Sequence, residues 1–195
     1  MPRENGRIAF SASTGIASMN PDGSGQWGVE LNVGDTAPAW SPDGSQLAVV
    51  AHLPGRVGML VMQPDGSDAR LVTTDGQDSD PAWSPDGTRI AFANGANIGV
   101  VSPDGGGRTQ LTANSVGWAS HPTWSPDGKT IAYALWADRI QDGVDVYRSA
   151  VSLLDVASGK ESTLMPESTA SDLSPAWSPD GGTIAFASYG YGSSR

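Results

Sequence analysis

A seven-residue sequence, Pro-(Ala/Thr)-Trp-Ser-Pro-Asp-Gly, occurs four times in this chain of 195 residues and restricts the folds open to it. The copies begin at residues 38, 81, 122 and 175, so the intervals between them are 43, 41 and 53 residues. Repeats with a period of about 20 to 50 residues are typical of solenoids and propellers, in which each repeat is one supersecondary unit. The chain is therefore predicted to be an array of similar units.

Each copy of the motif precedes a short apolar strand such as Ile90-Ala91-Phe92, then a second strand, a turn and a short closing strand. A further strand of this type, Ile8-Ala9-Phe10, has no motif ahead of it. Four strands in about forty residues are typical of one propeller blade. We predict an all-β fold, a β-propeller of four-stranded antiparallel blades, with about four to five blades in this chain.

The residues of the motif suit a scaffold. In Ser-Pro-Asp-Gly, proline presets φ for a type I turn, aspartate bonds to nearby backbone, and glycine accepts the positive φ that follows. Such a turn joins two antiparallel strands tightly. The four repeated tryptophans are predicted to pack between neighbouring blades, where aromatic side chains bury most area, and not to stack on a ligand.

The repeat also predicts the domain organisation, a single propeller domain or propeller fragment over residues 1–195. The predicted parts are blade remnants at 7–32, complete blades at 38–73, 81–112 and 122–164, and a partial blade at 175–188. Two arrangements are open. The ends pair with each other and close a small ring, or the propeller is incomplete and its open edges pair with another chain. We favour the incomplete propeller or an assembly of chains.

The succession PAWSPDG…IAF…MNPDG resembles the WD-like repeats of the TolB family, over residues 7 to 188. It is also similar to the propellers of prolyl-oligopeptidase-type peptidases. The first resemblance implies a periplasmic or extracellular protein that engages envelope partners, such as a peptidoglycan-associated lipoprotein. Six blades, common in that family, would need about 260 residues. Residues 1–6 contain no apolar stretch of the kind that a secretion signal requires.

Composition excludes several functions. The net charge of −10, with only 11 scattered Lys and Arg residues, argues against a nucleic-acid partner. The absence of cysteine excludes a thiolate zinc site and a cysteine nucleophile. No apolar run is long enough to span a membrane. The sequence contains no Gly-x-Ser-x-Gly or His-Glu-x-x-His motif, so no catalytic residues are predicted and the chain is expected not to be an enzyme.

Candidate binding residues lie in the loops on the face opposite the Pro-Asp-Gly turns, because variable loops on a rigid scaffold usually carry binding. One group leads into the innermost strands and is expected at the mouth of the central channel: Asp35, Asp78, Asp80, His121 and Asp172. A partial carboxylate ring there would attract Ca²⁺ or a basic partner. The alternative is that these aspartates cap turns and stay solvated. No loop has the EF-hand spacing, so the signal for Ca²⁺ is weak and no metal site or cofactor is predicted.

The second candidate region is the segment Ala134 to Ala150, which accounts for the 53-residue interval. It is predicted to be a long loop, and a long loop in a regular array is often functional. Its candidate residues are Trp136, Asp138, Arg139, Asp142, Asp145 and Tyr147. Simple tolerance of an insertion is the alternative.

Three functions fit the sequence. The first is a non-catalytic, TolB-like propeller scaffold that binds a protein partner. The second is the non-catalytic propeller that gates a prolyl-oligopeptidase-type peptidase. The third is a propeller fragment that forms a homo-oligomer through its open blade edges.

Overall fold

The computed structural model describes residues 6–12, 15–30, 38–53, 55–141, 144–164 and 170–190, without the side chains of residues 56 and 138–147. Blade 1 contains β1 (Ile8–Ala12), β2 (Gly15–Met19) and β3 (Trp27–Glu30). Blade 2 contains β4 (Ala39–Trp40), β5 (Leu47–Leu53), β6 (Arg56–Met62) and β7 (Arg70–Leu71). Blade 3 contains β8 (Asp78–Trp83), β9 (Ile90–Asn94), β10 (Asn97–Val101) and β11 (Thr109–Gln110). Blade 4 contains β12 (Trp118–Trp124), β13 (Thr130–Gln141), β14 (Val144–Asp155) and β15 (Glu161–Thr163), and blade 5 contains β16 (Ser171–Trp177) and β17 (Ile184–Tyr189).

Every blade is an antiparallel meander in which each strand pairs with the next along the chain. The innermost strands are β4, β8, β12 and β16, and they contact one another in that order from blade 2 to blade 5. Among the described residues, blades 1 and 5 have three and two strands and share no strand pairing. The predicted all-β propeller of four-stranded blades is confirmed, and its ring is open in the described part.

The hydrophobic core lies between the blades. One cluster joins Ile16 of blade 1 to Leu47 and Val49 of blade 2. A second joins blades 2 and 3, and a third joins blades 3 and 4. The middle strands of the central blades, such as β5, β9 and β10, are therefore buried on both faces, which is why they read as continuous apolar runs such as Ile-Ala-Phe and do not alternate with polar residues.

The tryptophan of each motif links two blades. Trp83 Nε1 donates to the Ala39 carbonyl oxygen at 3.0 Å, and Trp124 Nε1 donates to that of Ala82 at 3.1 Å. The Arg89 guanidinium also lies 4.8 Å from the centre of the Trp124 ring. The predicted position of these tryptophans between blades is confirmed.

The Pro-Asp-Gly turns have the predicted geometry. In the blade 3 turn, the Gly87 amide donates to the Ser84 carbonyl at 2.9 Å, and Gly87 has a φ of 71°. The Asp86 carboxylate accepts from the Ser84 hydroxyl at 2.6 Å and from the Thr88 amide at 3.0 Å. These bonds, with the Ser84 hydroxyl foremost, lower the pKa of Asp86 to about 2. The aspartates of these turns therefore stabilise the scaffold as turn residues.

The segment Ala134 to Ala150 was predicted to be a loop, and that prediction was wrong. β13 and β14 pair without interruption from Thr130↔Asp155 to Gln141↔Val144. The segment is thus a long β-hairpin that extends blade 4 by about 20 Å relative to blade 3. Paired backbone hydrogen bonds, rather than an irregular chain, accommodate the extra residues.

The tryptophan bonds predict unequal effects of two equivalent substitutions. Trp83→Phe removes a donor and leaves the Ala39 carbonyl without its partner. The Nε1 of Trp40 is buried and, within the part of the chain that the structure describes, has no hydrogen-bond partner to lose. We expect Trp83→Phe to lower the free energy of unfolding by about 1 kcal/mol more than Trp40→Phe does. Urea unfolding of both variants measures the difference, and equal losses would contradict the role given to the bond.

The lowered pKa of Asp86 predicts an acid dependence of stability. Because this pKa is about 2 in the folded chain and about 3.9 in the unfolded chain, the carboxylate stabilises the fold above about pH 4. That contribution is lost as the pH falls towards 2. In thermal unfolding between pH 5 and pH 2, we expect Asp86→Asn to show a smaller fall in Tm than the parent chain. Parallel curves would refute the assignment.

Candidate binding face

One face of the propeller, termed the mouth face, carries the segments that lead into the innermost strands and the connections between second and third strands. The Ala119 amide, at the start of β12, donates to the Gly95 carbonyl between β9 and β10 at 2.7 Å. This bond joins the two kinds of segment across neighbouring blades. The Pro-Asp-Gly turns lie at the opposite ends of the same strands.

A bulge recurs where the innermost strands leave the mouth face. The pairing register shifts between Ser79 and Ala82 in β8, and shifts at the equivalent points of β12 and β16. The residue before the motif proline has a left-handed backbone in each case, with φ of 50° at Asp80 and 52° at His121 and Ser174. Bulges re-aim side chains and are frequent beside functional sites. This backbone feature was not predicted, although each motif has a fixed proline directly after a variable residue, which is a signal for it.

The bulges bring two of the predicted site residues together. The Asp80 carboxylate accepts a hydrogen bond from the His121 amide at 3.2 Å, across two neighbouring innermost strands. Asp80 is half-buried and His121 is exposed. Both residues therefore keep contact with solvent.

Asp78 was expected at the mouth of the channel, where it could meet a ligand, but its side chain is buried. It is only 2% exposed, and its Oδ1 accepts from Asn94 Nδ2 at 2.7 Å and from Arg108 Nη2 at 2.9 Å. The Arg108 guanidinium in turn lies 5.0 Å from the centre of the Phe92 ring. Asp78 is thus held inside blade 3, where it ties the innermost strand to the segment that precedes β11.

Asp172, another predicted member of the carboxylate ring, is also buried. It is 1% exposed, and among the described residues neither of its carboxylate oxygens has a hydrogen-bond partner. Asp35 lies outside the described residues. Within the described part of the chain, no three His, Asp or Glu side chains are placed to hold a metal ion.

An apolar patch lies at the base of the long hairpin on the mouth face. Val116 is 69% exposed and Trp118 is 48% exposed, and Trp118 pairs directly with the half-buried Trp136 across β12 and β13. Gly117 allows this approach, because a Cβ atom there would clash with the Trp136 carbonyl oxygen. Val116, Trp118 and Trp136 are termed the tryptophan patch. Trp136 was predicted as a site residue, whereas Trp118 was missed although it is a tryptophan outside the repeated motif.

The remaining residues predicted in this segment are placed only in part. The backbones of Asp138 and Arg139 lie in β13 and those of Asp145 and Tyr147 in β14, with Asp138 opposite Tyr147. Their side chains, and all of Asp142, lie outside the described residues. The sequence signal for a hairpin was Asp142-Gly143, a dipeptide that favours tight hairpins.

The contacts of Asp78 predict that it is structural. Asp78→Ala leaves Arg108 and Asn94 without their buried partner, so we expect a loss of about 2 kcal/mol in unfolding free energy. Asp75→Ala is the matched control, because Asp75 pairs with the same arginine at 3.2 Å but is 48% exposed. A loss below about 0.5 kcal/mol is expected there. Similar values for both variants in urea unfolding would contradict the structural role.

Comparison with known proteins agrees with this architecture. The family model described as "TolB beta propeller domain" matches residues 23–134, more than half of the chain. A search of curated proteins gave no significant match. Within the residues that the structure describes, no helix has the length and hydrophobicity needed to cross a membrane.

Three solved structures show the same fold at low sequence identity. TolB from Acinetobacter baumannii superposes with a TM-score of 0.77 and 19% identity, covering 97% of this chain and 49% of that protein. A putative TolB from Agrobacterium tumefaciens gives 0.75 and 21%, covering 95% of this chain and 66% of that one. The tricorn protease gives 0.70 and 15%, covering 95% of this chain and 18% of that one. The chain thus spans about half to two thirds of the TolB structures, and with the family match this shows that it belongs to the TolB β-propeller domain family.

Proposed function

We propose that this chain is a non-catalytic propeller scaffold that binds a protein partner on its mouth face. The observation that carries the proposal is the tryptophan patch, where Val116 and Trp118 are 69% and 48% exposed. Exposed apolar clusters mark interaction sites on folded proteins, and tryptophan is enriched among residues that dominate binding energy. The two tryptophans of the patch lie on paired strands, so little conformational entropy is lost when they bind.

Polar groups beside the patch favour a protein ligand with basic side chains. His121 lies on β12, the strand that also carries Trp118, and Asp80 lies on the neighbouring innermost strand β8. The chain has a net charge of −10. Charge complementarity of this kind mainly sets specificity and the rate of association. An apolar anchor with an acidic neighbour therefore fits a partner surface that combines an apolar pocket with Lys or Arg.

Membership of the TolB propeller family supports a place in the cell envelope. We propose a periplasmic location and a partner of the type that the resemblance implies, a peptidoglycan-associated lipoprotein. Several of the described aspartates have structural roles: Asp43 and Asp86 hold turns, and Asp78 is ion-paired inside its blade. These assignments support binding rather than catalysis.

Titration calorimetry with the peptidoglycan-associated lipoprotein of the same source tests the proposal. We expect binding by the parent chain and a loss of about 30-fold in affinity for Trp118→Ala, which corresponds to a dominant interface residue. Trp27→Ala is the matched control, because Trp27 is 36% exposed but lies in the outermost strand of blade 1.

Thermal unfolding of both variants checks that they remain folded. Equal weakening by the two substitutions, or no binding by the parent chain, would overturn the proposed surface or partner. Turnover of peptide substrates by the purified chain would overturn its non-catalytic role.

A further inference from the structure

The hydrogen bonds of the motif tryptophans follow one rule, which identifies the acceptor atom that each indole N–H needs. Trp83, Trp124 and Trp177 donate from Nε1 to the carbonyl oxygens of Ala39, Ala82 and Thr123, at 3.0, 3.1 and 3.3 Å. Each acceptor is the residue directly before the tryptophan of the preceding motif. The indole of one blade is thus bonded to the innermost strand of the blade before it.

Trp40 is the exception. Among the described residues its buried Nε1 has no hydrogen-bond partner, whereas a buried indole N–H normally has one. By the same rule, its acceptor belongs to an innermost strand of blade 1. In the part of the chain that the structure describes, blade 1 consists of β1, β2 and β3, and β1 is its inner edge.

The pairing of the complete blades fixes the register that such a strand would take. In blades 2 to 5, the residue before the motif tryptophan lies opposite the alanine of the second strand, as in Ala82↔Ala91, and the tryptophan lies opposite the residue before that alanine. The equivalent residues of β1 are Ala9 and Ile8. The acceptor carbonyl for Trp40 therefore belongs to a residue opposite Ala9.

The same register restricts which residue types an added innermost strand can carry at these two positions. The residues opposite these alanines are Ala39, Ala82, Thr123 and Ala176, so only small side chains occur there. The next residue is tryptophan in every case. Ile8 and Phe10 of β1 are 43% and 36% exposed and offer apolar surface beside the edge.

We propose that the open edge of β1 is a docking site for an antiparallel strand of the sequence type Pro-(Ala/Thr)-Trp. The small residue of that strand lies opposite Ala9, and its carbonyl accepts the hydrogen bond of Trp40 Nε1. This is strand addition to a sheet edge, in which backbone bonds supply affinity and one side-chain contact supplies the register. The site is separate from the mouth face and does not rest on the proposed function.

Fluorescence anisotropy with a labelled peptide of residues 171–181 tests the proposal, because this segment carries Pro175-Ala176-Trp177. We expect saturable binding to the parent chain and none by a scrambled peptide. Trp40→Phe removes the donor, and its affinity should fall about five- to tenfold. Trp83→Phe is the control: its indole is already bonded to Ala39 within the chain, so it should bind the peptide as the parent does.

An ester analogue of the peptide separates the bond to Trp40 from general strand pairing. Replacing the amide between Ala176 and Trp177 by an ester weakens the acceptor carbonyl. We expect this change to weaken binding more for the parent chain than for Trp40→Phe, since only the parent retains the donor.

Three results would overturn the proposal: no binding of the peptide, equal ester effects in the two proteins, or equal effects of the two tryptophan substitutions. Sedimentation of the free chain adds a further outcome. A stable oligomer that Trp40→Phe leaves intact and that excludes the peptide would show that a second copy covers this edge through other contacts, and it would also refute the proposal.

Discussion

The fold depends on burying both faces of each blade against its neighbours, and the motif tryptophan directs how the blades meet. Its ring occupies the space between two blades, and its single polar atom bonds to the backbone of the innermost strand before it. A buried indole without that acceptor is costly, so the bond favours one relative position of two sheets. Apolar packing alone tolerates several arrangements, because any pair of Ile-, Val- and Ala-rich faces interdigitates.

The two ends of the strands have different roles because the sequence repeats closely at one end and varies between blades at the other. At the Pro-Asp-Gly end, serine and aspartate side chains satisfy the turn backbone in the same way in blades 2 to 5. Successive turns touch: a Cβ at Gly128 would lie 3.8 Å from Pro85 Cδ. That end leaves little freedom for a binding residue. At the mouth face the chain varies, and there it places exposed Trp118 beside the long hairpin.

The sequence was sufficient to predict the blades, their turns and the interblade tryptophans, because these depend on local rules that recur in every repeat. It did not predict the long hairpin, because residues 134–150 were interpreted by the spacing of the motifs and not by their own Asp-Gly signal. It also did not reveal that Asp78 is buried. That depends on Arg108, which is 30 residues away in sequence and meets Asp78 only after the blade has folded.

Equivalent positions in blades 3 and 4 show why a pattern of aspartates is a weak guide to a ligand site. In blade 3, Asp78 pairs with Arg108 over the ring of Phe92. In blade 4, alanine replaces the aspartate at 119, and the residue equivalent to Arg108 is Glu161, which bonds to the Tyr133 hydroxyl. Burial and this glutamate raise the pKa of Tyr133. Both sets satisfy a buried polar group within one blade, with opposite charges.

The positions of the buried polar side chains without hydrogen-bond partners follow from the dependence of each blade on its neighbour. Trp40 and Asp172 have counterparts in Trp83 and Asp78, whose partners come from an innermost strand and from the segment before an outermost strand. In the described part of the chain, blade 1 has no such innermost strand and blade 5 no such outer strands. Each blade therefore depends for its polar groups on a full set of four strands and on the blade before it. Among the described residues, the indole without a partner lies in blade 2, next to the incomplete blade 1, and the carboxylate without one lies in the incomplete blade 5. This is the distribution expected of a propeller, whose stability depends on contacts between nearest neighbours.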